Sequence, residues 1–338
     1  MGLIDETSLT EFEKYLLSNI EHQRKECNVD NISRTEAYFN FFKNHPEIKW
    51  SFLAHMVSRN AGWNMCDLEG KWFPKVMGDE QRCILYSTYE RANWLIFQDA
   101  YPQLLLYHYS TKMGASMFHL LKFFHVSEYM EREWEVFWAL GDKSRLLIAL
   151  IINEQNVIHK PVIQHPRYKR KVFHSFIFTF QDWLHYSCVL FPTIEGELYG
   201  ASVNGFNSVD KRINLGKRLS STLFDENLYP QFFQFAELTK HTGSRQDYEQ
   251  YISTNLGVTT PSLRLTFPII HHHIHQYEDW SQVRKIKASW VSPTVTHRHP
   301  VRLTTWFQKK QRRLHKSIEI KERISSFNRK KRVSGNEN

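Results

Sequence analysis

At 338 residues the chain is long enough for one large domain or two ordinary ones, and 24 Phe, 15 Tyr and 10 Trp supply the area for a packed interior, which excludes a disordered polymer. Its net charge of +9 is uneven: residues 308–338 hold 11 Lys/Arg against 3 Glu, a net of +8, so the pI reflects a basic tail on a near-neutral body. The longest wholly apolar run, Leu146–Ile152, is far shorter than the roughly 20 residues a membrane span needs.

Helix signals then recur in chain order. Ser8 with Glu11 and Ser33 with Glu36 have the spacing of capping boxes, each ahead of an apolar run. Pro46 suits the first turn of a helix through Ile48, Phe52, Met56 and Asn60, with Gly62 ending it. A helix fits Gln81–Asp99, and Pro102 is expected to stop or kink it. Asp142 caps Lys143–His159, which Pro161 ends. Lys171–Ser187 reads as helix or strand. Val189–Asn207, with Pro192, Gly196, Gly200 and Gly205, reads as a long loop or small hairpin. Helices follow over Ser208–Phe224 and Pro230–His241, with Gly243 as a stop, and a short one opens at Ser244 and Asp247. Thr254–Pro268 breaks the helical rhythm. These signs predict an all-α, compact, multi-helix bundle-like domain with a few irregular or short β segments over 1–307, a sub-boundary near 160–207, and a basic tail over 308–338.

Three stretches carry polar residues where a helix should be apolar: Phe52–Leu68, Glu90–Tyr107 and Leu146–Ile158. Buried polar groups cost free energy unless paired, so they predict an internal polar network or a polar-floored pocket. Arg59, with His55 and Asn60, is placed to bind an anion, or to pair internally with Asp67, Asp99 or Glu154. Glu154 follows the apolar run Leu146–Ile152, so desolvation should raise its pKa and make it a candidate base or metal ligand. Asn64, Asn93, Gln98, Asn153 and Gln155 complete the ligand-binding or structural network.

The run His271, His272, His273 and His275 puts His271, His275 and Asp279 on one face if helical, an arrangement open to Zn²⁺ or Fe. HExxH is absent, and Asp182 with His185 forms a lone DxxH. The chain has no GxxxxGK[ST], GxGxxG or GxSxG motif, which removes the common nucleotide and α/β-hydrolase readings. The sequence leaves any cofactor unknown. In the tail, Lys309, Lys310, Arg312, Arg313, Lys316, Arg329, Lys330, Lys331 and Arg332 are candidates for contact with nucleic acid or an anionic membrane surface. Cys27, Cys66, Cys83 and Cys188 lie far apart without a CxxC pair, and MGLIDETSLTEF shows no leader pattern. A reduced, cytoplasmic protein is expected.

Taken with NHPEIKW (Asn44–Trp50), the strings SRNAGWNM and ANWLIFQDAYPQLLLY resemble the YppC-like family of uncharacterised proteins from Bacillus and its relatives, over roughly residues 30–310. That family commonly has Thr where this chain has Cys66, which makes Cys66 a poorer nucleophile candidate. The resemblance implies a bacterial intracellular protein and brings no assigned activity. Two readings therefore stand: an interaction protein whose tail meets a polyanion, or an enzyme, such as a metal-assisted hydrolase, using His55, Arg59, Asp99 and Glu154.

Overall fold

A computed structural model describes residues 9–166, 188–202, 205–252, 260–274 and 276–292, side chains over 302–320, and the backbone on to 334. Ser8, Lys171–Ser187 with Asp182 and His185, and residues 254–259 of Thr254–Pro268 lie outside the described residues. The protein is predominantly helical, as its apolar periodicity predicts.

Helix α1 (Glu11–Cys27) opens with a capping box at Thr10 and Glu13, two residues beyond the expected position. Helix α2 (Asn31–Asn44) is capped by Asp30, whose carboxylate accepts from Ser33 N–H at 2.7 Å, so Ser33 lies inside the helix. These two lie beside α3 (Lys49–Asp67) and α4 (Asp79–Met113), the long central helices.

Neither Gly62 nor Pro102 ends its helix. Gly62 sits within α3 because it lets neighbours approach: a Cβ there would lie 2.4 Å from Asn31 Oδ1 and 2.8 Å from His241 Nε2. Helix α4 continues through Pro102 for 35 residues. Proline cannot donate to the carbonyl four residues earlier. That carbonyl, on Gln98, faces Arg24 Nη1 of α1 at 3.5 Å, a long contact that offers a charged donor in place of the missing N–H.

Helix α5 (Glu128–Leu140) ends at Gly141 in the left-handed region, with φ +68°. Asp142 caps α6 (Lys143–Val157) as expected, accepting from Arg145 N–H at 2.9 Å. A single wide helical turn, His159–Ile163, then carries Pro161. The Val189–Asn207 region holds the hairpin of β1 (Cys188–Pro192) and β2 (Leu198–Ser202), antiparallel with Leu190 opposite Gly200. Asn60 of α3 clamps this hairpin: it donates to Leu190 O at 2.6 Å and accepts from Leu190 N–H at 2.7 Å.

Helices α7 (Val209–Leu223) and α8 (Tyr229–Leu238) follow, then one-turn helices α9 (Gln246–Glu249), α10 (Leu263–Thr266), α11 (Trp280–Val283) and α12 (Ala288–Val291). The last helix, α13 (Thr304–Ser334), runs through the 307/308 boundary expected from charge. Its inner face buries Phe307, Gln311, Leu314 and Ile318, and His315 stacks on Trp72 with ring centroids 4.1 Å apart. No described helix is long and apolar enough to cross a membrane.

Candidate functional site

Helices α3, α4, α6 and α7, with β1, enclose a cavity of about 260 Å³. Its walls are mostly apolar: Leu53, Val57, Leu85, Ile96, Ile158, Val162, Leu215 and Leu219 contribute. One end is polar, where Tyr38 of α2, Glu154 and Gln155 of α6, and Arg212 of α7 meet. The apolar face of α6 presents Glu154 here because the helix is packed on several sides, and the residues after Ile152 must meet either protein or cavity.

Glu154 accepts from Trp50 Nε1–H at 3.0 Å and from Gln155 Nε2–H at 2.9 Å. Desolvation pushes its pKa up to about 7 despite both bonds and the nearby Arg212. Part of Glu154 faces the cavity, so it is only half-buried by surface, yet protein surrounds it densely.

Arg212 is buried and donates through Nε to Gln155 Oε1 at 2.8 Å, through Nη1 to Phe206 O at 2.6 Å, and through Nη2 to Gln155 O at 2.9 Å. Nη2 also meets His159 Nδ1 at 3.3 Å. Among the described residues no carboxylate lies within 4.0 Å of its guanidinium nitrogens, and desolvation lowers its pKa to about 10. The Tyr38 hydroxyl is buried without a hydrogen-bond partner, and burial, with Glu154 nearby, raises its pKa.

The sequence candidates separate into distinct groups. Of His55, Arg59, Asp99 and Glu154, only Glu154 lines the cavity. His55 is sealed against Phe39 and Phe52; its Nδ1 meets Thr35 O at 2.9 Å, and burial beside Arg59 lowers its pKa. Arg59 is fully buried, donates to Thr239 O at 2.8 Å, and lies 4.8 Å from the Phe235 ring centroid.

Asp99 accepts from Asn153 Nδ2–H at 2.5 Å and Gln103 Nε2–H at 2.7 Å, and desolvation raises its pKa to about 7. Asn153 Oδ1 accepts in turn from Trp280 at 2.8 Å and Ser127 at 3.1 Å, so this network ties α4, α6 and α11 together. Asp67 pairs with Arg245 at 3.0 Å, and Gln98 meets Asn28 at 3.3 Å. Asn60, Asn64 and Asn93 line the cavity; Asn93 also donates to Tyr89 O at 2.8 Å, and Asn64 bonds Tyr89.

A further buried network was not legible as such. His241 lies 3.1 Å from Asp247 Oδ2 and 2.8 Å from Asn31 Oδ1, while Trp63 donates to Asp247 at 3.0 Å. Both ring nitrogens face acceptors, so every bond is made only when His241 carries two protons. Burial pulls the other way and lowers its pKa against Asp247.

In the histidine run, His275 lies outside the described residues. Segment 271–274 has no helical or other regular secondary structure. His272 lies 4.0 Å from Glu90, and Asp279 caps α11 by accepting from Ser281 N–H at 2.8 Å. Among the described residues no three His, Cys, Asp or Glu side chains are grouped to hold a metal. Lys309, Arg312, Arg313 and Lys316 are exposed on the outer face of α13, and Lys310 lies 4.9 Å from the Trp306 ring centroid. The side chains of Arg329, Lys330, Lys331 and Arg332 lie outside the described residues. Cys66 is buried, and burial pushes its thiol pKa well up.

A family model described as "Protein of unknown function (DUF2515)" matches residues 26–308, close to the span the sequence strings suggest. An uncharacterised protein, YppC of Bacillus subtilis (strain 168), is 47% identical over 301 residues, covering 89% of this chain and 93% of the relative. No solved structure matches.

Proposed function

The chain belongs to the DUF2515 family, and we propose that it binds a small, mostly apolar molecule with one polar end in the cavity between α3, α4, α6 and α7. One observation carries this reading: a mostly apolar chamber in which Glu154 lies beside Arg212, a buried guanidinium with no carboxylate bonded to it among the described residues. Binding sites are commonly built this way, as apolar walls with a few convergent polar groups. The test is thermal shift with a panel of six- to twelve-carbon molecules bearing different head groups. Stabilisation of the wild type that Ala92→Phe removes by filling the chamber supports the reading. A panel without effect on a folded protein contradicts it.

A second reading concerns α13 and a polyanion such as nucleic acid. It is supported by the docking of Phe307, Leu314 and Ile318, which holds Lys309, Arg312, Arg313 and Lys316 outward on an anchored helix. Duplex DNA binding that weakens steeply with salt, and that charge reversal at those four residues flattens, supports it; no binding at low salt removes it. The hydrolase reading finds less support, because His55 and Arg59 do not face the cavity that Glu154 lines.

A further inference from the structure

We infer that the occupant of the cavity is a weak organic acid with an apolar body, bound with its carboxylate between Arg212 and a protonated Glu154; this rests on the cavity being a binding site.

The unused hydrogen-bonding capacity at the polar end is mainly donor. Arg212 has five N–H groups and uses four, on Gln155 Oε1, Gln155 O, Phe206 O and His159 Nδ1. One N–H on Nη1 is left. Both carboxylate oxygens of Glu154 already receive a donor, from Trp50 and Gln155. Donors without acceptors call for an acceptor head group.

Charge points the same way. Arg212 is a buried cation with no carboxylate bonded to it among the described residues, and the groups behind it, His159 and Arg284, add no negative charge. If Glu154 stays ionised, a second carboxylate entering beside it is repelled. If Glu154 holds a proton, it becomes a second donor to the incoming anion beside Arg212, and the buried end is neutral overall. No covalent bond changes: one proton moves from solvent to the Glu154–ligand pair, up to one per ligand. Glu154 is suited to this exchange because burial already holds it near half-ionised at neutral pH. The groups facing it are Tyr38 from α2, Trp50 from α3, Gln155 on its own helix and Arg212 from α7; Asp99 of α4, bonded to the adjacent Asn153 and also raised to about 7, is the nearest other carboxylate and acts on Tyr38. At about 30 Å³ per water-sized group, about 260 Å³ holds an acid of roughly nine heavy atoms.

The experiment is calorimetric titration of the full chain with octanoate and, separately, 1-octanol, at pH 6, 7 and 8 in two buffers of different ionisation enthalpy. Octanoate is expected to bind at least about tenfold more tightly than 1-octanol at pH 6, a polar-group discrimination within the usual range. Its affinity should fall about tenfold from pH 6 to pH 8, as the protonated fraction of Glu154 falls, while proton uptake per ligand rises toward one. Glu154→Gln keeps a donor without titrating, so it should lose both the pH slope and the proton uptake. If that variant does not fold, the wild-type proton count decides. Octanoate binding without proton uptake, or 1-octanol binding as tightly as octanoate, overturns the inference and leaves the cavity as a site for neutral molecules. Failure of both ligands to bind a folded protein overturns the inference and the cavity reading together.

Discussion

Replacing Gly62 with Ala should destabilise the protein, although Ala is the better helix former. Gly62 lies in the interior of α3, where exchange for Ala ordinarily gains about 0.5–1 kcal/mol. Here the new methyl would stand 2.4 Å from Asn31 Oδ1 and 2.8 Å from His241 Nε2. Those two atoms are hydrogen-bonded at 2.8 Å, so relief of the clash parts them. Overpacking costs about 1–3 kcal/mol and an unsatisfied buried partner about 1–3 kcal/mol. Neither side chain can retreat freely: Asn31 also donates to Ser58 O at 2.9 Å, and His241 is held by Asp247. The cost therefore outweighs the propensity gain, for a net loss of about 1–5 kcal/mol. Urea unfolding followed by far-UV circular dichroism would read it as a lower midpoint at unchanged slope. Stability equal to or above wild type would refute the close-packing account of α3.

Two further outcomes follow from buried charge. Arg34 Nη2 lies 2.6 Å from both oxygens of Glu90, with both residues almost wholly buried, so Glu90→Ala should cost about 3–5 kcal/mol by stranding the guanidinium. The double variant Arg34→Met, Glu90→Leu should cost less than half as much; equal losses in the two proteins would show that packing, not charge, sets the effect. Glu154 and Asp99 both have pKa values raised to about 7, above the usual carboxylate range of about 4. The folded state thus holds protons that the unfolded state releases, so this contribution is fully present below about pH 4 and is lost as pH rises toward about 7. Glu154→Gln should reduce the fall in stability between pH 5 and pH 8 seen by urea unfolding, and an identical slope in wild type and variant would contradict the raised pKa.

What the sequence made legible was local. Asp142 stands directly before a helix-forming run, and its carboxylate caps α6 as the spacing predicts. Glu154 could be singled out because it follows Leu146–Ile152, apolar on every side, and a carboxylate there has little water to meet. Gly62 and Pro102 look like breaks because the groups that accommodate them, Asn31, His241 and Arg24, come from other helices. The same distance hid the partners of Glu154. Trp50 reads as an ordinary core aromatic, Tyr38 as part of an apolar run, and Arg212 as a charge on an amphipathic helix; only packing brings them to one end of a cavity. The polar residues expected to share one network divide among Asp67–Arg245, Asp99–Asn153 and Glu154–Gln155, because α3, α4 and α6 present their polar positions to different neighbours.

The most direct measurement is a crystal structure of the full chain grown with saturating octanoate. The account predicts ligand density inside the cavity, with the carboxylate within hydrogen-bond distance of Arg212 and Glu154 and the alkyl chain against Leu53, Ile96 and Leu219. A cavity left to water, or octanoate bound only elsewhere on the protein, would contradict it.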